Sequence, residues 1–288
     1  MLTANRAVSF DPGGYKMIFA TEYLGSVGVG ATSPHFFCAS DDQVYVVKMQ
    51  NNRYGTKVLI SELIAAQIGK LLNLCFPHSQ LIKIEESFLN KYPHLKATGL
   101  VPSVNFASRY IANTAYLEKH HLSKSENLPE LAGVILFDHI FHNADRTNNR
   151  KNLIVSPQHT GYKIYAIDNS HLFRSGRWTN KSVMDLSEIV KVYYYRLFGL
   201  LLTSYISPND FIPYLEKFKA IDDTQIKKIM QSVPDEWWNN KEESVILEEY
   251  IRTRKGMADK IFFKICKYIP KSSERKQRLI KTVTHIRK

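Results

Sequence analysis

The stretch FHNADRTNNRKNLIV, residues 141–155, puts one carboxylate, Asp145, and the amides Asn143, Asn148, Asn149 and Asn152 among basic side chains in one short polar run. A second stretch, YAIDNSH at residues 165–171, ends an apolar run on another carboxylate, Asp168. Asn and Asp oxygens are hard ligands that suit Mg²⁺, and a further Asp beside them can take a proton from an attacking hydroxyl. Phosphoryl transfer asks for little more: phosphates held, their charge neutralised, and an acceptor aimed in line. On this reading Asp145 is the acceptor-side base, and Asn152 and Asp168 bind metal. Asn152 is preferred to Asn148 and Asn149 because the apolar run LIV begins directly after it and would fix its height, although all three amides compete.

The same chemistry needs a phosphate cradle and a cation. LGSVGVGATSP, residues 24–34, offers Gly25, Gly28 and Gly30 for close approach of backbone N–H groups, with Ser26, Thr32 and Ser33 as hydroxyl donors. It is neither a Walker A loop nor a dinucleotide fingerprint. Lys48, in the apolar run VYVVK, needs either solvent or a partner, and Glu62 in the following helical stretch is the candidate. A strand Lys paired with a helix Glu holds phosphates in kinases. The expected nucleotide contacts are therefore Gly28, Gly30, Thr32, Ser33, Lys48 and Glu62.

These residues need elements to position them. Apolar and aromatic runs at 15–20, 34–40, 43–50 and 79–87 read as strands, and 56–74 carries helical periodicity, giving β-β-β-α-β over the first hundred residues. A helix over 128–143 runs into the polar stretch, and NLIV and YKIYAID form a hairpin. Helices are expected at 186–204, 208–219, 222–232 and 241–267. The predicted fold class is α+β and bilobal: a β-rich nucleotide-binding lobe over 1–112, a helical catalytic lobe over 113–270 and a basic tail over 271–288.

The chain has 288 residues, of which 44% are hydrophobic and 23% charged, enough for a sizeable core. Its net charge of +12 favours anionic partners, nucleotides included. RNA-binding motifs and clustered aromatics are missing, so direct nucleic-acid binding is not expected. The three cysteines, Cys38, Cys75 and Cys266, are odd in number and have no ligand spacing, which fits a reducing compartment. The N-terminus lacks an apolar core of signal-peptide length, and the most apolar run, LFGLLLTSYI, is too short to span a bilayer. A cytoplasmic protein with no membrane contact is the expectation.

The GSVGVGATSP loop, VYVVK, SELIAAQIGKLL, NADRTNNRKNLIV and YAIDNSH together resemble the HipA-like kinases, with IMQSVPDEWW and EYIRTRKGM resembling the helical close of that family. The resemblance covers roughly residues 20–265. It implies a protein-kinase-like fold, ATP and Mg²⁺ as cofactors, and phosphorylation of Ser or Thr on a protein substrate. In some members the kinase is the toxin of a toxin–antitoxin pair, so an antitoxin or regulatory partner is a possible companion. By position Asp145 matches the catalytic Asp, Asp168 the metal Asp and Lys48 the nucleotide Lys.

The chain departs from conventional kinases in three respects. Five residues after Asp145 stands Arg150 rather than Asn, Asp168 is followed by Asn169-Ser170 rather than Phe-Gly, and Arg146 follows the Asp instead of preceding it. Two rival readings stand beside the protein kinase: a small-molecule or lipid-type kinase of the same fold, and a non-catalytic basic binding module. His142 reads as a capping or supporting group, and Trp237 and Trp238 as core.

Overall fold

A computed structural model describes residues 9–10, 16–194 and 196–270. The basic tail expected over 271–288 lies outside the described residues. The first lobe runs β1 (Ser9–Phe10), β2 (Lys16–Ser26), β3 (His35–Ala39), β4 (Val44–Lys48), α1 (Lys57–Leu72), β5 (Ser79–Ile84), α2 (Glu86–Lys91), α3 (Pro93–Ala97) and β6 (Ser103–Arg109). Its sheet has the order β1-β2-β3-β4-β6-β5, and β2 also pairs in parallel with β5, so the sheet closes on itself. Two register shifts along β2, near Ala20 and Tyr23, supply the bend that closure needs. Ile18, Phe37, Tyr45, Val47, Ile82 and Ala107 fill the inside, capped by Phe88, Leu89 and Leu95 from α2 and α3.

Closure rests on β6, which sequence patterning did not reveal: SVNFASR interleaves Asn and Ser with its apolar residues. Asn105 is nevertheless fully buried, because its Oδ1 accepts from the Gln50 N–H at 2.9 Å. The β3–β4 hairpin does turn at Asp41-Asp42, with Asp42 in the left-handed region at φ 58°, where a short polar side chain is tolerated.

The second lobe runs β7 (Ala115–Tyr116), α4 (Lys119–Leu122), α5 (Glu130–Ile140), α6 (Asp145–Asn148), β8 (Leu153–Pro157), β9 (Tyr162–Ala166), α7 (Asn180–Ser187), α8 (Arg196–Ser204), α9 (Pro208–Ala220), α10 (Asp223–Gln231), α11 (Glu242–Gly256) and α12 (Ala258–Cys266). β7, β8 and β9 make a small antiparallel sheet. The single helix expected over 186–204 is absent. α7 ends at Ser187, and the chain stays irregular through 194. Polar side chains claim its backbone there: the Ile189 carbonyl accepts from His142 and Arg254, the Val190 carbonyl from Lys264, and the Tyr193 N–H donates to His139. The expected helix over 241–267 is two helices that break at Met257.

Helix α1 joins the lobes. Twelve of its sixteen residues are buried, and its apolar side chains belong to the larger core with α5, α9 and α10. It ends on Asn73 at φ 57°, a left-handed cap. A second tie crosses from the turn at Asp235–Trp237. Glu236 Oε1 accepts from Gln50 Nε2 at 2.7 Å and from the Val104 N–H at 3.1 Å. Trp237 Nε1 donates to the Val104 carbonyl at 3.0 Å, and Thr56 Oγ1 donates to the Trp237 carbonyl at 2.6 Å. The helical lobe therefore grips both β6 and the start of α1. Trp237 is fully buried in this role, a core residue as its sequence context implies. Among the described residues no helix is long and apolar enough to cross a membrane.

Candidate active site

Lys48 is the last residue of β4, and its side chain is almost fully buried. A buried ammonium needs counter-charge. It is shared between two carboxylates: Nζ donates to Glu62 Oε1, and to Asp168 Oδ1 at 2.8 Å. Glu62 sits in the second turn of α1, so the burial of that helix fixes it. Its Oε1 also accepts from the Asn169 N–H at 3.0 Å. Burial works against the charge on Lys48, but Asp168 and Glu62 outweigh it and raise its pKa above the ordinary lysine value. Burial likewise opposes ionisation of Asp168. Lys48 and two hydrogen bonds from Ser170 prevail and hold the carboxyl well below its usual range. Ser170 Oγ lies 2.5 Å from Asp168 Oδ1 and its N–H 3.2 Å away.

Asp145 opens α6, and Asn152 ends a short 3₁₀ turn leading into β8. Asn152 Nδ2 donates to Asp145 Oδ2 at 2.6 Å. Asn152 Oδ1 accepts from Asn149 Nδ2 at 3.0 Å, and Asn149 Oδ1 accepts from the Lys151 N–H at 3.2 Å. Asn148 is exposed, with one long contact of 3.5 Å from Nδ2 to the Ala144 carbonyl. Of the three competing amides, then, Asn152 meets Asp145 directly, Asn149 supports it and Asn148 stands apart.

The hairpin brings the two polar stretches together. Leu153 pairs with Ala166, and the Ile167 N–H donates to the Asn152 backbone carbonyl at 2.9 Å. Asn152 and Asp168 thus lie side by side across the strand ends. Asp168 adopts φ 60°.

The Gly-rich loop joins β2 to β3. Gly25, Gly28 and Gly30 all have positive φ, at 114°, 76° and 103°, so the loop's path depends on residues without a β-carbon. Its far end, His35, pairs with Val47, which puts the loop at the same end of the sheet as Lys48. Gly28, Gly30 and Ser33 are exposed, whereas Thr32 is buried.

Four supporting residues escaped sequence reasoning. Arg146 and Asp138 form a fully buried ion pair, with Arg146 Nη1 donating to Asp138 Oδ1 at 2.5 Å. Burial pushes Asp138 up to about 6 against the pull of Arg146. A carboxylate inside the apolar run GVILFDHIF was the available signal, since a charge there must be paired. Arg254 is also fully buried and donates to the carbonyls of His139, Ile140, Ser187 and Ile189. His139 lies between the Ile135 carbonyl at Nδ1 (2.6 Å) and the Tyr193 N–H at Nε2 (3.0 Å). The N–H partner makes Nε2 an acceptor and leaves Nδ1 the proton.

His142 is supporting, as its sequence context implies. Its Nε2 faces the Leu186 and Ile189 carbonyls at 3.2 and 3.1 Å and must carry the proton. Its Nδ1 accepts from Tyr193 Oη at 2.8 Å. Burial pushes His139 down to about 4 and His142 down to about 3.

A sequence profile described as HipA-like kinase matches residues 21–260. No curated protein matches the chain significantly. Among solved structures, the Helicobacter pylori proinflammatory kinase CtkA superposes with a TM-score of 0.54 at 13% identity, over 85% of this chain and 94% of that one. The Golgi casein kinase with Mn/ADP bound gives 0.49 at 10% identity, over 93% and 75%. Hydra Fam20 with sugar gives 0.47 at 11%, over 90% and 88%. The likeness to CtkA identifies the architecture as a bilobal protein-kinase-like fold.

Proposed function

The chain belongs to the HipA-like kinase family, and on that premise we propose that it is an ATP- and Mg²⁺-dependent kinase acting on Ser or Thr hydroxyls of a protein. That it is a kinase-type phosphotransferase follows from the family; acceptor and cofactors are the proposal. The observation that carries it is the buried Lys48 ammonium held between Glu62 and Asp168, with Asp145 and Asn152 joined by a hydrogen bond on the adjoining hairpin. A non-catalytic binding module gains nothing from burying such a charge set, which costs more than an apolar replacement.

The donor set fits a nucleotide with a hard divalent cation. Among the described residues no three His, Cys, Asp or Glu side chains gather to form a metal cage. Mg²⁺ needs no such cage: one or two protein oxygens plus phosphate oxygens satisfy it. Asp168, kept ionised, and the Asn152 side-chain oxygen Oδ1 would hold it, and the bound ion would neutralise charge on the phosphates. Lys48 would contact the phosphates from its fixed position on Glu62. The exposed backbone of Gly28 and Gly30 would cover them. Asp145 would accept the proton of the incoming hydroxyl, with Asn152 Nδ2 orienting its carboxylate.

The test is incubation of the purified protein with γ-labelled ATP and Mg²⁺, with and without host lysate, beside Asp145→Asn. Label on protein Ser or Thr that requires Asp145 is expected. Label on a small molecule or lipid headgroup instead would transfer the fold to that acceptor class, and no label on anything would overturn the proposal.

A further inference from the structure

Arg146 follows the candidate base Asp145 directly, yet its side chain turns inward and is fully buried. One end of the guanidinium is anchored on α5: Nη1 donates to Asp138 Oδ1, which also accepts from Asn143 Nδ2 at 3.0 Å. The other end reaches the segment that carries Asp168. Nη2 meets the Ile167 carbonyl at 3.2 Å, the Asp168 carbonyl at 3.3 Å and Asn169 Oδ1 at 2.8 Å. Asn169 in turn donates its N–H to Glu62.

We propose that Arg146 is the positioning residue of the phosphotransfer site: it fixes the backbone of Ile167–Asn169 so that Asp168 presents its carboxylate to the metal at a set distance from Asp145. The proposal rests on the phosphotransferase reading above. Asp168 sits at φ 60°, a left-handed conformation that Asp tolerates but populates less than the right-handed one, so its surroundings must select it. Three oxygens from three consecutive residues around that position converge on one Nη atom, which is the hold required. Because Arg146 and Asp145 are adjacent in the chain, the same clamp sets the spacing between base and metal carboxylate.

The cluster is poorly satisfied for a purely structural device. Arg146 Nε, Asp138 Oδ2 and Asn143 Oδ1 are buried without a hydrogen-bond partner among the described residues. Apolar side chains of similar volume would avoid that cost. What they could not supply is a rigid planar fork bridging a core helix and the left-handed turn at Asp168. A lysine could not either, since its ammonium is a single point at the end of a flexible stem.

The experiment compares Arg146→Lys and Asn169→Ala with the wild type in two measurements: calorimetric Mg²⁺ titration of the ADP-loaded protein, and kcat and KM for ATP. Arg146→Lys is expected to weaken Mg²⁺ affinity and lower kcat by about 10- to 100-fold, the usual effect of losing a group that orients a metal ligand, with metal-free ADP affinity changed little. Asn169→Ala removes one acceptor of the fork and is expected to weaken Mg²⁺ affinity by about tenfold. If Arg146→Lys does not fold, Asn169→Ala alone decides. Unchanged Mg²⁺ affinity in the folded variants, or losses that follow thermal stability alone, would overturn the proposal. Calorimetry needs no acceptor, so a wild type that binds Mg²⁺–ADP but transfers nothing would condemn the phosphotransferase reading and leave this one measurable.

Discussion

Asn152 donates its amide to the Asp145 carboxylate at 2.6 Å, so two side chains seven residues apart act as one unit at the edge of the small sheet. The contact fixes the carboxylate rather than the nucleotide. Asp145→Asn is therefore expected to cut kcat by about 10²- to 10⁴-fold, the range for loss of a positioned base. ATP affinity by calorimetry should remain within a factor of a few. A variant that keeps its turnover but loses ATP affinity would reverse the role given to Asp145.

The amides around it rank by their contacts. Asn152→Ala removes both the orienting hydrogen bond and the side-chain oxygen Oδ1 proposed for the metal, and should lower kcat/KM by about 10- to 100-fold. Asn149→Ala frees Asn152 Oδ1 from its supporting contact and should have a smaller effect. Asn148→Ala, at an exposed side chain, should be silent. Steady-state kinetics on the three variants checks the order, and a dominant effect at Asn148 would mean that the loop binds metal through a different residue.

Legibility in the sequence followed chemistry more than periodicity. Lys48, Glu62, Asp145, Asn152 and Asp168 could be read because charged or amide side chains at the ends of apolar runs are few, and their order along the chain is informative. The structure joins Lys48, Glu62 and Asp168 in one ion-pair cluster, and Asp145 and Asn152 by a hydrogen bond on the adjoining hairpin. Arg146 and Asp138 escaped because a buried ion pair has no repeat: its partners stand eight residues apart with no shared pattern. The break after Ser187 escaped for a related reason. Its sequence is helical in composition, but the carbonyls of Ile189 and Val190 are taken by side chains that arrive from far along the chain. Tertiary hydrogen bonds of that kind override local propensity.

Lys48 holds two carboxylates, so its loss and the loss of Glu62 should differ. Lys48→Met leaves Glu62 and Asp168 facing each other in a buried site, and should cost about 3–5 kcal/mol of stability along with ATP affinity. Glu62→Gln leaves the ammonium paired with Asp168, and should cost less stability while raising KM for ATP. Urea unfolding and ATP kinetics on both variants test this, and equal stability losses would show that the two carboxylates do not share the cation.

Acid should loosen the framework behind the Asp145 loop before it reaches Asp168, whose carboxyl is held well below its usual range. His139 and His142 are held neutral by burial, at about 4 and about 3 against an ordinary 6.5. Their folded values are depressed, so the stability they contribute is present above pH 6.5 and is lost as pH falls toward those values. From pH 6.5 to 4 each forfeits about 3 kcal/mol, at 1.36 kcal/mol per pH unit. Asp138 works in the opposite sense. Raised from 3.8 to about 6, it destabilises as pH rises through that window and recovers as pH falls. Its return of roughly 3 kcal/mol offsets one histidine but not both. Across these three groups the balance is a loss of stability as pH falls from 6.5 to 4, visible as a falling Tm. His139→Gln and His142→Gln remove one titrating ring each, so the slope of Tm against pH should flatten in both, whatever their Tm at neutral pH. Slopes equal to that of the wild type would place the acid sensitivity elsewhere in the molecule.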